Sequence, residues 1–190
     1  MIWKRIFGRP AQDDAPMALY SAAVRQARSP AFYLAGGVPD TVEGRFEMVA
    51  VHAYLVLRRL REGGPEGKEA GQKVFDLLFD DMDQTLREMG VGDLSVGKKI
   101  KALASSFYGR MQAYDAGFNE EDDGTLVASV LRNVYGSEEQ SAHHAASLAS
   151  YMRLTDRLLH EQDVAEIISG RIFFAPPFES SVATELNEAR

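Results

Sequence analysis

Residues 40–64 read DTVEGRFEMVAVHAYLVLRRLREGG, and their pattern decides the class of fold. Phe46, Val49, Ala53, Val56, Leu57 and Leu60 fall at helical spacing and mark one buried face. Asp40 followed by Glu43 makes a capping-box-like start, with Asp in place of the usual Ser or Thr, and Gly63-Gly64 ends the run. His52 sits beside Val49 and Ala53 on that face and reads as a hydrogen-bonded core histidine rather than a ligand.

The same period extends in both directions. Upstream, Pro16 suits a helix start because its missing N–H has no partner to lose there, and Leu19, Tyr20, Ala23, Val24 and Ala27 follow as far as Ser29-Pro30. Residues 30–40 (PAFYLAGGVPD) read as a loop bearing Phe32, Tyr33 and Leu34. Downstream, Pro65 opens a helix striped by Val74, Phe75, Leu78, Met82, Leu86 and Met89, with Gly90 at its C-terminal cap. Asp93 or Ser95 caps the next helix, where Ile100, Leu103, Phe107, Met111 and Tyr114 recur, before the acidic run 119–123 breaks the pattern. Leu126, Val127, Val130, Leu131 and Val134 form a short helix ended by Gly136. Ser137 with Gln140 reads as a capping box for a long helix through Leu148, Met152, Leu158 and Leu159, and Asp163 with Glu166 starts a last short helix that stops at Gly170.

Nothing alternates with period two. The expectation is therefore all-α: a single compact bundle-like domain of about six or seven helices in residues 16–174, with an extended C-terminal segment. Residues 1–15 are a basic, apolar start and a linker, and 175–190 a tail expected to be mobile. The prolines keep 172–178 (IFFAPPF) extended, either lying across the helices as core or serving as a partner-binding strip.

Composition excludes more than it names. The 190 residues include no cysteine, so disulfides, thiolate metal sites, covalent haem and a cysteine nucleophile are absent. A net charge of −7 makes a poor general binder of nucleic acid, and no direct DNA binding is expected. Residues 1–10 (MIWKRIFGRP) are the exception, at +3 against −10 for the rest. They lack the apolar run of a signal peptide, and no stretch approaches the ~20 apolar residues of a membrane span. Ile2, Trp3, Ile6 and Phe7 share one side of a turn with Lys4 and Arg5 beside them, which suits contact with an anionic membrane surface. Docking on the protein's own core, or a frayed end, are the alternatives.

Several motifs only resemble chemistry. Residues 92–98 (GDLSVGK) match G-x-x-x-x-G-K, but Lys99 stands where a hydroxyl should hold magnesium and a helix precedes the motif instead of a strand. His160-Glu161 begins a zincin motif that lacks its second histidine, and His143 and His144, being adjacent on a helix, point about 100° apart. Asp76, Asp80, Asp81 and Asp83 read as a solvated acidic face before a divalent-ion site. Four His and seven Met leave an axial haem ligand open without requiring one. No cofactor, metal or catalytic set is expected.

The stretches PAFY-x4-VPDTVEGRFEM (30–48), VLRRL (56–60), DDMDQTLREMGVGDLSVGKKIKAL (80–103), FYGRMQAYD (107–115) and LRNVYG (131–136) together resemble the ubiquinol–cytochrome c chaperone family, over roughly residues 17–174. The resemblance implies a non-enzymatic assembly chaperone. Mitochondrial members assist assembly of ubiquinol–cytochrome c reductase, respiratory complex III; they act with a small partner protein, associate with the ribosome near its exit tunnel, and bind newly made cytochrome b. Because the chain begins almost at the domain, without an import extension, a bacterial member is expected, cytoplasmic or peripheral on the cytoplasmic face of the inner membrane. A membrane-peripheral helical adaptor for another client is the alternative. The interaction surface is expected at Phe32, Tyr33, Asp40, Arg45, Arg58 and Arg59, with the turn carrying Gly90, Gly92 and Gly97 and with Lys98 and Lys99. Each also has a structural explanation: Asp40 as a cap, the glycines as a turn, Phe32 and Tyr33 as core.

Overall fold

Thr41 starts the central helix, its Oγ1 accepting the Gly44 N–H at 3.0 Å. In the computed structural model, which describes residues 14–178, the helices are α1 (Ala15–Ala27), α2 (Pro30–Leu34), α3 (Val42–Leu60), α4 (Gly64–Glu88), α5 (Asp93–Phe118), α6 (Gly124–Val134), α7 (Ala142–Glu161) and α8 (Val164–Ile168). Six of them have eleven residues or more and two have five, and the described residues contain no strand. The fold is all-α, as the sequence pattern predicts.

α3 is the hub. The sequence gives it one apolar face, yet every residue from Glu47 through Leu57 is buried, because α1, α4, α6, α7 and α8 all pack around it. α4 crosses α3 closely at Gly67, where an added Cβ would lie 2.2 Å from the Leu60 carbonyl oxygen. α4 and α5 form a long hairpin whose turn depends on Gly90 at φ +85°, a conformation glycine adopts without strain. α6 wedges between α5 and α7.

Beyond α8 the chain crosses the helices as a strap. Ala175 is buried, and Ile172, Phe174 and Phe178 pack against the core, so the strap serves as core and its packed residues extend past residue 174. Gln26 Nε2 donates to the Ala175 carbonyl at 2.8 Å. Gln162 clamps Phe173 by accepting its N–H at 2.9 Å and donating to its carbonyl at 2.8 Å, which holds the Phe173 ring outward, 73% exposed.

Local readings change at four places. Residues 30–34 are a one-turn helix, α2, begun by Pro30 and too short to show a period. The cap of α3 is Thr41, one residue after Asp40, which instead accepts from Arg45. Gly92 occupies the cap position of α5, so neither Asp93 nor Ser95 caps it. Ser137 and Gln140 form no capping box: Ser137 adopts φ +66°, Gln140 bonds Glu138, and a 3-10 turn (Glu139–Ser141) precedes α7. Asp163 does cap α8, accepting from the Ala165 N–H at 2.9 Å. No described helix is long and apolar enough to cross a membrane.

Candidate interaction surfaces

Arg58 and Arg59 are adjacent on α3 and both are engaged internally. Arg58 Nε donates to Asp156 at 3.0 Å and its Nη1 to Asp115 at 3.3 Å, while its guanidinium lies over the Phe118 ring at 4.6 Å. Asp115 also accepts from Tyr54 at 2.8 Å and from Arg61 at 2.7 Å, tying α3 to α5 and α7. Arg59 is buried and donates to the carbonyls of Leu159 at 2.8 Å and Gln162 at 3.0 Å, closing the end of α7. Arg58 and Arg59 therefore have hydrogen-bonding partners inside the protein, whereas the other expected cations, Arg45, Lys98 and Lys99, are exposed. Phe32, for which a core role is the alternative reading, is fully buried, with its ring 5.3 Å from His52, 5.0 Å from Tyr151 and 5.6 Å from Phe178.

Three expected residues do come together. Tyr33, Asp40 and Arg45 line an open cavity of about 260 Å³ with Arg28, Pro30 and Leu34. Arg45 Nε donates to Asp40 at 2.6 Å, and this bond holds the Asp40 carboxyl below its ordinary range although both groups are exposed. The Tyr33 hydroxyl donates to the Ala27 carbonyl at 2.8 Å, and burial pushes its pKa up.

Gly90, Gly92, Gly97, Lys98 and Lys99 form a separate surface at the hairpin, and all five are exposed. The residues of the G-x-x-x-x-G-K match from Asp93 onward are helical, so no loop exists there to wrap a phosphate. Gly97 faces open space on the side of α5. Ile2, Trp3, Lys4, Arg5, Ile6 and Phe7 lie outside the described residues.

The histidines resolve into structural roles. His52 Nδ1 donates to the Met48 carbonyl at 2.7 Å, so its Nε2 accepts from the Tyr151 hydroxyl at 2.9 Å, whose oxygen accepts in turn from Gln26 at 3.0 Å. Burial lowers the His52 pKa to about 4 and raises that of Tyr151 to about 12. His160 bonds Glu62 at 2.9 Å and the Asp156 carbonyl at 2.7 Å. The His143 and His144 rings lie 3.7 Å apart, closer than their helical positions suggest, with His144 stacked on Tyr135. Among the described residues no group of three or more His, Cys, Asp or Glu side chains is arranged to hold a metal. The acidic face is partly used within the fold: Asp81 accepts from Tyr20 at 2.6 Å, and Asp83 pairs with Arg87.

One surface has no counterpart in the sequence reading. Leu57, Leu60, Gly71, Phe75 and Met111 floor an open groove of about 300 Å³ between α3, α4 and α5, rimmed by Arg61, Lys68, Gln72 and Tyr108. The Tyr108 ring stands 5.3 Å from Phe75 and is half exposed.

The family model described as ubiquinol-cytochrome C chaperone matches residues 34–174, most of this fold. The chain belongs to the ubiquinol–cytochrome c chaperone family. A crystal structure of the Cbp3 homolog from Brucella abortus superimposes with a TM-score of 0.80 at 33% identity, covering 87% of this chain and 91% of that one. The human ubiquinol-cytochrome c reductase complex assembly factor 1 is 24% identical over 168 residues, which are 88% of this chain and 56% of the human protein. The yeast mitochondrial protein CBP3 is 29% identical over 77% of this chain and 44% of its own length. The chain thus spans about half the length of these two curated relatives.

Within this chaperone-family fold, the groove was hidden because its floor is shared among three helices, with Met111 on α5 brought beside Leu57 and Phe75 only by packing. Two signals pointed to it: the small residues Gly67 and Gly71 one helical turn apart on α4, and Tyr108 on the polar side of α5.

Proposed function

We propose that this protein is a non-enzymatic assembly chaperone that binds newly made cytochrome b and assists assembly of ubiquinol–cytochrome c reductase. The observation that carries the reading is the likeness to the Brucella Cbp3 homolog, which runs through nearly the whole of both chains at 33% identity. The human and yeast relatives add the direction, since the human protein is named as an assembly factor of that complex. The described surface supplies a fitting contact. An unassembled membrane protein presents apolar helical segments, and the groove over Leu57, Leu60, Phe75 and Met111 offers apolar area, with the rim cations Arg61 and Lys68 available to an acidic flank. Tyr33, Asp40 and Arg45, with Arg28, Pro30 and Leu34, form a second contact patch that joins apolar surface to charge and suits a small partner protein or the ribosome. The protein works in the cytoplasm and peripherally at the inner membrane's cytoplasmic face, where its client inserts.

Deletion of the gene tests the reading. Cytochrome b and assembled complex III should fall together while unrelated membrane complexes keep their levels. Unchanged cytochrome b and complex III would overturn it.

A further inference from the structure

The outer half of the α4–α5 hairpin stands apart from the core. Of residues 81–106 only Val96 is buried, although the two helices have 25 and 26 residues and are each roughly 38 Å long. At the apex, Leu94 is fully exposed and Met89 is 59% exposed, on either side of the glycine turn. Leu94, Lys98 and Lys101 follow at i, i+4 and i+7, so they share one face of α5, which continues through Ser105 to Tyr108. All five are exposed, whereas Val96, Ile100, Leu103 and Phe107 take the opposite, inward face.

Charge on the hairpin is segregated. Between Asp93 and Asp115, α5 carries Lys98, Lys99, Lys101 and Arg110 and no acid. Arg110 is spent on the buried Glu47, its Nε donating to Oε2 at 2.7 Å. Among the described residues, Lys98, Lys99 and Lys101 enter no ion pair. α4 opposite them carries Asp76, Asp80, Asp81, Asp83 and Glu88.

We propose that the apex of this hairpin is a membrane contact, in which Met89 and Leu94 enter the headgroup region of an anionic bilayer and Lys98, Lys99 and Lys101 meet its phosphates. Charge complementarity selects the occupant. A protein of net charge −7 meets an anionic surface favourably only where it is locally basic, as over residues 1–10 and along this face of α5, so within the hairpin the α5 side turns to the lipid and the acidic α4 side turns away. RNA would use the three lysines but leave Leu94 and Met89 in water. A bilayer takes both the cations and the apolar side chains. The contact stands apart from the assembly role, so its failure leaves that reading intact.

The absence of cysteine makes the test clean, because Leu94→Cys gives one labelling site on the full chain. An environment-sensitive fluorophore there should shift to the blue with vesicles of phosphatidylcholine and phosphatidylglycerol, and not with phosphatidylcholine alone. The same label at Glu161→Cys, on the exposed end of α7, should not shift. Replacing Lys98, Lys99 and Lys101 by Gln should weaken vesicle binding roughly a hundredfold without changing the melting temperature. A shift at both positions or at neither overturns the proposal, as does vesicle binding unchanged by the triple substitution. Capture of an RNA oligonucleotide that depends on the three lysines, with no response to vesicles, overturns it in favour of RNA.

Discussion

His52 shows how much one buried side chain asks of its surroundings. Its imidazole stays neutral because Met48, Tyr151 and Gln26 satisfy every polar atom in a line while Phe32 and Phe174 enclose the ring. In the unfolded chain it takes up a proton near pH 6.5, but in the folded protein only near pH 4. Between those values the unfolded state binds the extra proton, so stability is complete above pH 6.5 and is lost as pH falls toward 4. The loss attributable to His52 is about 3 kcal/mol over that window. His160 has the opposite sign: its donation to the Asp156 carbonyl raises its pKa, so its contribution fades as pH rises. Urea unfolding of the wild type and of His52→Gln across the range separates the two, and the variant should show the shallower loss on acidification. Identical pH profiles would show that His52 is not the titrating group. That this histidine is core was legible from its place between Val49 and Ala53. That Tyr151, 99 residues away, would be its partner was not.

At the scale of elements, two glycines in the α4–α5 hairpin give opposite expectations. At Gly67 a methyl group would lie 2.2 Å from the Leu60 carbonyl oxygen, backbone that cannot swing aside. Gly67→Ala should push α4 off α3 and cost about 1–3 kcal/mol. Gly97 lies in the helical stretch of α5 with nothing within 4 Å of a new Cβ, so Gly97→Ala should stabilise by up to about 1 kcal/mol. Thermal melts of the two variants decide this, and a shift of the same sign in both would contradict the packing described for α4. The elements themselves were legible wherever a period ran for three turns or more and a glycine with positive φ ended it, as at Gly90 and Gly136, and the one-turn α8 was legible from its cap Asp163 and from Gly170. Reading failed at α2, one turn long without a side-chain cap, and where a cap was misplaced by one residue, as at Asp40 and Thr41. Side-chain propensity does not distinguish two adjacent polar residues, and only the backbone entering α3 does. For Arg58 and Arg59 the internal partners went unread for a different reason. Conspicuous cations in an acidic chain suggested an outside partner, whereas Asp115, Asp156 and the end of α7 are brought to them by tertiary packing.

For the whole molecule, the groove between α3, α4 and α5 is the proposed client contact. Lys68→Glu with Tyr108→Ala changes its rim while leaving its floor of Leu57, Leu60 and Phe75 in place. Both residues are exposed, so the melting temperature should hold, while co-purification of cytochrome b should fall severalfold. Undiminished recovery would move the client surface away from this groove. The strap carries a further consequence, for the order in which the protein is made. Gln26 waits for the carbonyl of Ala175, 149 residues later, and the pocket around Phe32 and His52 waits for Phe174 and Phe178. α1 finds most of its seat on α3 and α4 early in synthesis. The packing around Phe32 and His52 is completed only after residue 178 has emerged, so the last step of folding waits for the C-terminal strap.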